Sequence, residues 1–234
     1  MQLRRGAFIG TATFMLLLTP PVSAQVTYSH DDGTSEFSVG ISLGGDLWWA
    51  NAFTVQAGGE SINTIRIAFY NSSLTGGESF SVHVYDDLDD DGDPATGTLQ
   101  LVASAAATVI DPTGGTFQDI AIGPVTVAGG FFVAALMTQA ASTYPAALDR
   151  TASAGQSWVA AGDPSTIDPN DPFASLIVGP GTMDSYGNPG NFLLRAEAGE
   201  PPVLTPIPTV GPVGIAVLLA LIGLAGATLL RRAM

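Results

Sequence analysis

Cysteine is absent from the 234 residues, and so is lysine. Without a thiol there is no disulfide framework, no thiolate nucleophile and no cysteine zinc site, so stability must come from packing and from whatever a metal adds. Histidine is scarce: His30 lies near the start of the body, and alternation turns His83 away from Val82 and Val84, which predicts an exposed strand residue. Neither supports a Ser-His-Asp arrangement, and two histidines do not make a zinc cluster. Positive charge is nearly missing, with seven arginines against 21 acidic residues and a net charge of −14. Arg4, Arg5, Arg231 and Arg232 sit in the two ends, so residues 25–200 keep only Arg66, Arg150 and Arg195 against all 21 carboxylates, a formal charge of −18. Such a field repels phosphate backbones, which argues against nucleic acid as a partner, and favours cations and a soluble, non-adhering surface.

Long apolar runs occur only at the ends. Met1 to Ala24 has Arg4 and Arg5, an apolar run from Ala7 to Leu18 and a small-residue site Val22-Ser23-Ala24. These are the parts of a secretory signal cleaved before Gln25. At the other end, Gly211 to Leu230 carries no charge. At about 1.5 Å per helical residue, such a stretch reaches the roughly 30 Å hydrocarbon thickness of a bilayer. Arg231 and Arg232 follow at once and favour the cytoplasmic side, which puts the body across the membrane in the cell envelope or on the extracellular surface.

The tail Ile207-Pro208-Thr209-Val210, then Gly214, an apolar helix and Arg231-Arg232, resembles a bacterial C-terminal protein-sorting signal, closest in type to IPTL-CTERM. The resemblance implies recognition by an exosortase-type membrane protease that removes the helix and transfers the protein to a surface anchor. Val210 stands where that family has Leu, and Val213 where it usually has Trp. A plain single-pass anchor is the alternative outcome for the same helix. The chain thus divides into a signal (1–24), a folded body (25–199), a proline-rich spacer (200–208) that holds the body off the membrane, and the sorting signal with its transmembrane helix (209–234).

The body reads as strand after strand. Alternation places Leu47, Trp49 and Phe53 on one face and Trp48 on the other, then groups Ile65, Ile67 and Phe69, and then Phe80, Val82 and Val84. Further runs cover Leu99 to Ile110, Thr116 to Ile122, Phe131 to Met137 and Phe192 to Ala196, with Gly76-Gly77, Gly114-Gly115 and Gly129-Gly130 as turns between strands. This spacing predicts an all-β fold, an antiparallel two-sheet sandwich of jelly-roll-like type. Asp163 to Asp171, with three Asp-Pro steps, reads as a long surface excursion. The acidic loop, the PAALD and SWVA pieces and the NFLLRA strand resemble exported β-sandwich domains that precede bacterial sorting tails, a resemblance that implies a fold and no activity.

The strongest chemical signal is Asp86 to Asp93, where Asp87, Asp89, Asp91 and Gly92 match the D-x-D-x-D-G spacing of calcium loops. Calcium takes several hard oxygens converging on a point, and alternate residues in a tight loop aim carboxylates inward while glycine permits the turn. The candidate ligands are Asp87, Asp89, Asp91 and Asp93. Thr98 at the twelfth position and strand-like flanks separate the loop from an EF-hand, and its affinity belongs in the weak extracellular range of about 10⁻⁴ to 10⁻³ M. A solvated acidic hairpin is the plain alternative.

Trp48, Trp158, Tyr144 and Tyr186 offer a stacking platform for sugar rings if they share an exposed face. Asp119, Asp149, Asp184 and Glu197 supply carboxylates without a spacing that selects a glycosidase pair. The sequence therefore predicts a non-enzymatic, calcium-stabilised envelope or surface module, with a surface polysaccharide or matrix as possible partner. The alternative is a surface protein that binds or hydrolyses polysaccharide.

Overall fold

A computed structural model describes residues 25–70, 73–96 and 99–199. The predicted signal, the spacer and the sorting tail, with Ile207, Pro208, Thr209, Val210, Gly214, Arg231, Arg232 and the membrane helix, lie outside the described residues, as does Thr98.

Among the described residues the chain is all-β, with no helix. The strands are β1 (Val26–Tyr28), β2 (Phe37–Val39), β3 (Gly45–Thr54), β4 (Ser61–Ile67), β5 (Ser79–Asp87), β6 (Leu99–Thr108), β7 (Gln118–Thr126), β8 (Gly130–Gln139), β9 (Ala146–Asp149), β10 (Ser157–Gly162), β11 (Val178–Thr182), β12 (Asn191–Phe192) and β13 (Leu194–Ala198). They form three sheets, in the orders β1-β13-β4-β7, β11-β10-β3-β8-β5-β6 and β12-β9-β2. Every strand pair is antiparallel. The small third sheet is an addition to the two that alternation predicts. β12 and β13 flank Leu193, and the chain changes sheet there, a break that an unbroken apolar run does not signal.

The two large sheets share one apolar core, an arrangement consistent with a sandwich. From the six-stranded sheet come Leu47, Trp49, Phe53, Phe80, Val82, Val84, Phe131 and Val133; from the four-stranded sheet come Tyr28, Ile62, Ile65, Ile67, Ile120, Leu194 and Ala196. A fully buried side chain of this size contributes about 1.5–3 kcal/mol, so this layer supplies most of the driving force. Asn51, fully buried in the middle of β3, pins the layers: its Nδ2 donates to Phe192 O at 2.9 Å and Leu194 O at 2.8 Å, while its Oδ1 accepts from Ser157 Oγ at 2.6 Å.

The outer face of the six-stranded sheet is also apolar. Trp48, Ala50, Ala52, Tyr85, Phe132, Ala134 and Ala160 form a second cluster there. It is covered by the segment 163–177 between β10 and β11, the first part of which, Asp163 to Asp171, the sequence presents as a surface excursion. Ile167 is buried, Phe173 meets Trp48 edge-on at 5.1 Å, and Leu176 packs beside them. Asp46 fastens this strap. Its buried carboxylate accepts from the backbone N–H groups of Ser165 (2.9 Å), Thr166 (2.8 Å) and Ile167 (3.0 Å) and from the Thr138 hydroxyl (2.5 Å). Burial by itself would push the Asp46 carboxyl up, but these donors outweigh it and hold the group below the ordinary carboxylate value.

Candidate metal centre

β5 ends on Asp87, and the chain turns through residues 88–96 toward β6. Asp90 and Gly92 have φ of 57° and 71°, the left-handed conformation that a sharp reversal requires. Two side-chain turns stiffen the reversal: Asp91 Oδ1 accepts from Asp93 N and Asp93 Oδ1 from Ala95 N, both at 2.8 Å. Asp90 reaches across to the turn before β8 and accepts from Gly130 N. A Cβ at Gly129 would stand 2.0 Å from Asp90 Oδ1, so that glycine is required by close approach as well as by its turn.

Asp87, Asp89 and Asp91 each bring a carboxylate oxygen within 4.8 Å of the other two. Asp87 is 3% exposed. Its Oδ2 accepts from Gly92 N at 2.8 Å, whereas its Oδ1 is buried without a partner. Burial, and then the carboxylates of Asp89 and Asp91, push the Asp87 carboxyl above its ordinary value against the pull of the Gly92 amide. Asp91 moves the other way, lowered by the Thr96 hydroxyl and the Asp93 amide. None of the arginine ion pairs among the described residues reaches this trio: Arg66 pairs with Asp119 and Glu197, and Arg195 with Asp31. A buried carboxylate with one unpartnered oxygen, close to two more carboxylates, is the donor set a hard cation fits. Asp93, the fourth predicted ligand, is not in the trio; its Oδ1 accepts from the Ala95 amide.

Asp87 and Asp91 of the trio line a cleft of about 580 Å³. One wall is Asp87, Asp90, Asp91 and Gly92; the other is Tyr28, His30 and Phe53, with Gln156 between. His30 stacks on Phe53 at 4.6 Å and donates from Nε2 to Ala52 O at 2.7 Å. The sequence offers no sign of this wall, since β1, β3 and the acidic loop are brought together only by the packing of the sheets.

Other predicted candidates are placed differently. His83 is 1% exposed, not exposed, because the face it shares with Tyr85 is covered. Its Nε2 lies 2.8 Å from Ser81 Oγ, its Nδ1 is unpartnered, and burial lowers its pKa to about 4. The aromatic platform does not form: Trp48 is fully buried and Trp158 half-buried in the cluster under the strap, while Tyr186 is 44% exposed. Among the loose carboxylates, Asp119 and Glu197 pair with Arg66, Asp149 accepts from Asp32 N and Thr151, and Asp184 accepts from Ser153 Oγ.

No protein-family model matches this sequence, and no curated protein does. Among solved structures the chain is similar to a clostridial cysteine protease, Cwp84, after propeptide cleavage, at a TM-score of 0.51 and 13% identity over 77% of this chain and 41% of that one. It also matches the cysteine protease and lectin-like domains of Cwp84, a surface layer associated protein of Clostridium difficile, at 0.49 and 13% over 77% and 37%. The chain thus spans less than half the length of either. The first likeness shows the fold alone. Because a protease chain shares this fold, the expectation of a protein that is not an enzyme is withdrawn, and no activity is carried over in its place. The present chain has no cysteine, so a thiol nucleophile is outside its means.

Proposed function

We propose that this protein is an exported surface module, a jelly-roll-like sandwich whose acidic loop holds calcium and whose tail directs it to the cell envelope. Asp87 carries the metal reading: a buried carboxylate with one oxygen lacking a partner, close to Asp89 and Asp91. Calcium takes 6–8 oxygens, so three aspartates leave positions for water or a ligand in the cleft, and few protein oxygens place the affinity in the weak extracellular range. The address rests on the signal of residues 1–24 and on the tail with Ile207, Pro208, Thr209, Val210, Gly214, Arg231 and Arg232. An exosortase-type protease is the processing partner, the membrane holds the C-terminal helix, and a surface polysaccharide or matrix is the contact of the exposed body.

Calcium titration of the full chain in detergent, followed by thermal unfolding with and without chelator, tests the metal. A ligand bound only by the folded state raises Tm with its concentration. The paired change Asp89→Asn and Asp91→Asn abolishes the rise if these residues hold the ion; a rise that survives it places the ion elsewhere.

A second reading rests on the same groups. Asp87 is raised and Asp91 lowered, and their oxygens approach within 4.8 Å at a cleft edge, the pattern of an acid and its partner in polysaccharide hydrolysis. Release of reducing ends from a surface polysaccharide, lost in Asp87→Asn, supports this reading. Inhibition by calcium separates it from the first, because an ion there consumes both carboxylates.

A further inference from the structure

The three sheets end in six strands, and five of them are blunted. β1, β2 and β12 have three residues or fewer, β7 contains Pro124 and β11 contains Pro180. Short length and proline are the means by which proteins keep a sheet edge from pairing with another chain. β6 has neither. It runs ten residues, LQLVASAAAT, with no charge, proline or glycine, and among the described residues only β5 pairs with it.

Its hydrogen-bonding groups can be assigned. Val109 N donates to Glu78 O beside β5, so odd-numbered residues in this half of the strand turn their backbone groups inward and even-numbered ones turn theirs outward. Thr108 O is taken by Gln118 Nε2 at 3.2 Å, and the pairing shifts register around Val102. Ser104 and Ala106 remain, both exposed, each with an outward N–H and C=O.

We propose that β6 is a self-association edge that pairs antiparallel with β6 of a second copy, about a twofold axis at Ala105. Ser104 then stands opposite the partner's Ala106 and Ala106 opposite the partner's Ser104, which satisfies all four outward groups of each pair at once. A register one step either way needs the carbonyl that Gln118 occupies or the irregular Val102. Side chains from Ala103 to Ala107 are small, so the strand itself offers little hindrance to a partner. Charge selects the place: two such acidic bodies repel over most of their surfaces, and the stretch from Leu99 to Ile110 is an uncharged window. The pairing joins two six-stranded sheets across the edge and is independent of any metal.

The absence of cysteine makes the test clean. Ser104→Cys and Ala106→Cys are made separately in the full chain, mixed in equal amounts in detergent and oxidised. Directly opposite residues have Cα atoms about 5.5 Å apart, within disulfide reach. The expected result is a heterodisulfide well above the statistical half of all dimers. Sedimentation equilibrium of the cysteine-free chain should show a monomer–dimer equilibrium that strengthens as salt rises from 0.05 to about 0.5 M, because screening weakens the repulsion. Ala106→Pro removes an outward N–H the fold does not use, and Ala106→Lys adds a charge on each side of the axis; each should weaken the dimer at least tenfold with unchanged Tm. A statistical disulfide mixture, an excess of homodisulfides, a monomer at every concentration, or a dimer indifferent to both Ala106 variants overturns the proposal.

Discussion

Two side chains show how burial sets chemistry at the scale of single residues. His83 is neutral in the fold, and burial lowers its pKa from 6.5 to about 4. Between those values the unfolded chain binds the proton and the native chain does not, so stability rises with pH across that window and is lost as pH falls through it. The loss by pH 4 is on the order of 3 kcal/mol. His83→Phe should flatten the denaturant-midpoint profile between pH 6.5 and 4, and an unchanged slope would assign the acid sensitivity elsewhere. Asp87 has the opposite sign. Its pKa is raised in the fold, so the native state holds its proton longer and stability falls as pH climbs above the ordinary carboxylate value. In chelator at pH 7, Asp87→Asn should therefore raise Tm, whereas in excess calcium the same variant should melt below the parent. A lower Tm in both conditions would make Asp87 a structural acceptor for Gly92 alone.

Among elements, the strap 163–177 is the feature whose loss should matter most for its size. It closes the outer apolar cluster with Ile167, Phe173 and Leu176, and one carboxylate gathers its backbone amides. Asp46→Ala leaves the amides of Ser165, Thr166 and buried Ile167 without their acceptor and should destabilise by about 1–3 kcal/mol. Trp48 beneath the strap should then report the change, with fluorescence shifted to the red and open to quenching by acrylamide before global unfolding. Coincident quenching and unfolding would mean that the strap and the sheet form one cooperative unit. Asn51→Ala tests the other tie. It removes the bonds to Phe192, Leu194 and Ser157 at once, and a loss of about 2–4 kcal/mol in urea titration is expected, since the partner carbonyls stay buried.

For the whole molecule, the charge imbalance is the governing quantity. The three arginines of the body are engaged, Arg66 and Arg195 with carboxylates and the Phe117 ring, Arg150 over the Phe37 ring. The remaining carboxylates repel one another, and compaction brings them closer. Thermal stability in chelator should rise on going from about 0.02 to 0.5 M sodium chloride, because screening relieves that repulsion more than it weakens the few ion pairs. A fall in Tm would give the Asp31–Arg195 and Arg66 pairs the larger share.

Much of this was legible in the sequence, for a definite physical reason. Successive side chains of a strand point to opposite faces, so alternation alone sorts Ile65, Ile67, Val82, Val84, Leu47 and Trp49 onto one side and Trp48 onto the other, as found. The D-x-D-x-D-G spacing likewise brings Asp87, Asp89 and Asp91 together, since the loop between β5 and β6 is local. Period two states which residues share a face and is silent on what covers it. Only the tertiary structure decided that His83 and Trp48 lie buried and that Asp163 to Asp171 belongs to a strap. The cleft, the orphaned oxygen of Asp87 and, among the described residues, the unpaired backbone groups of Ser104 and Ala106 on β6 are of the same kind: each depends on contacts, or on their absence, between segments apart in the chain, and no local pattern of residues encodes them.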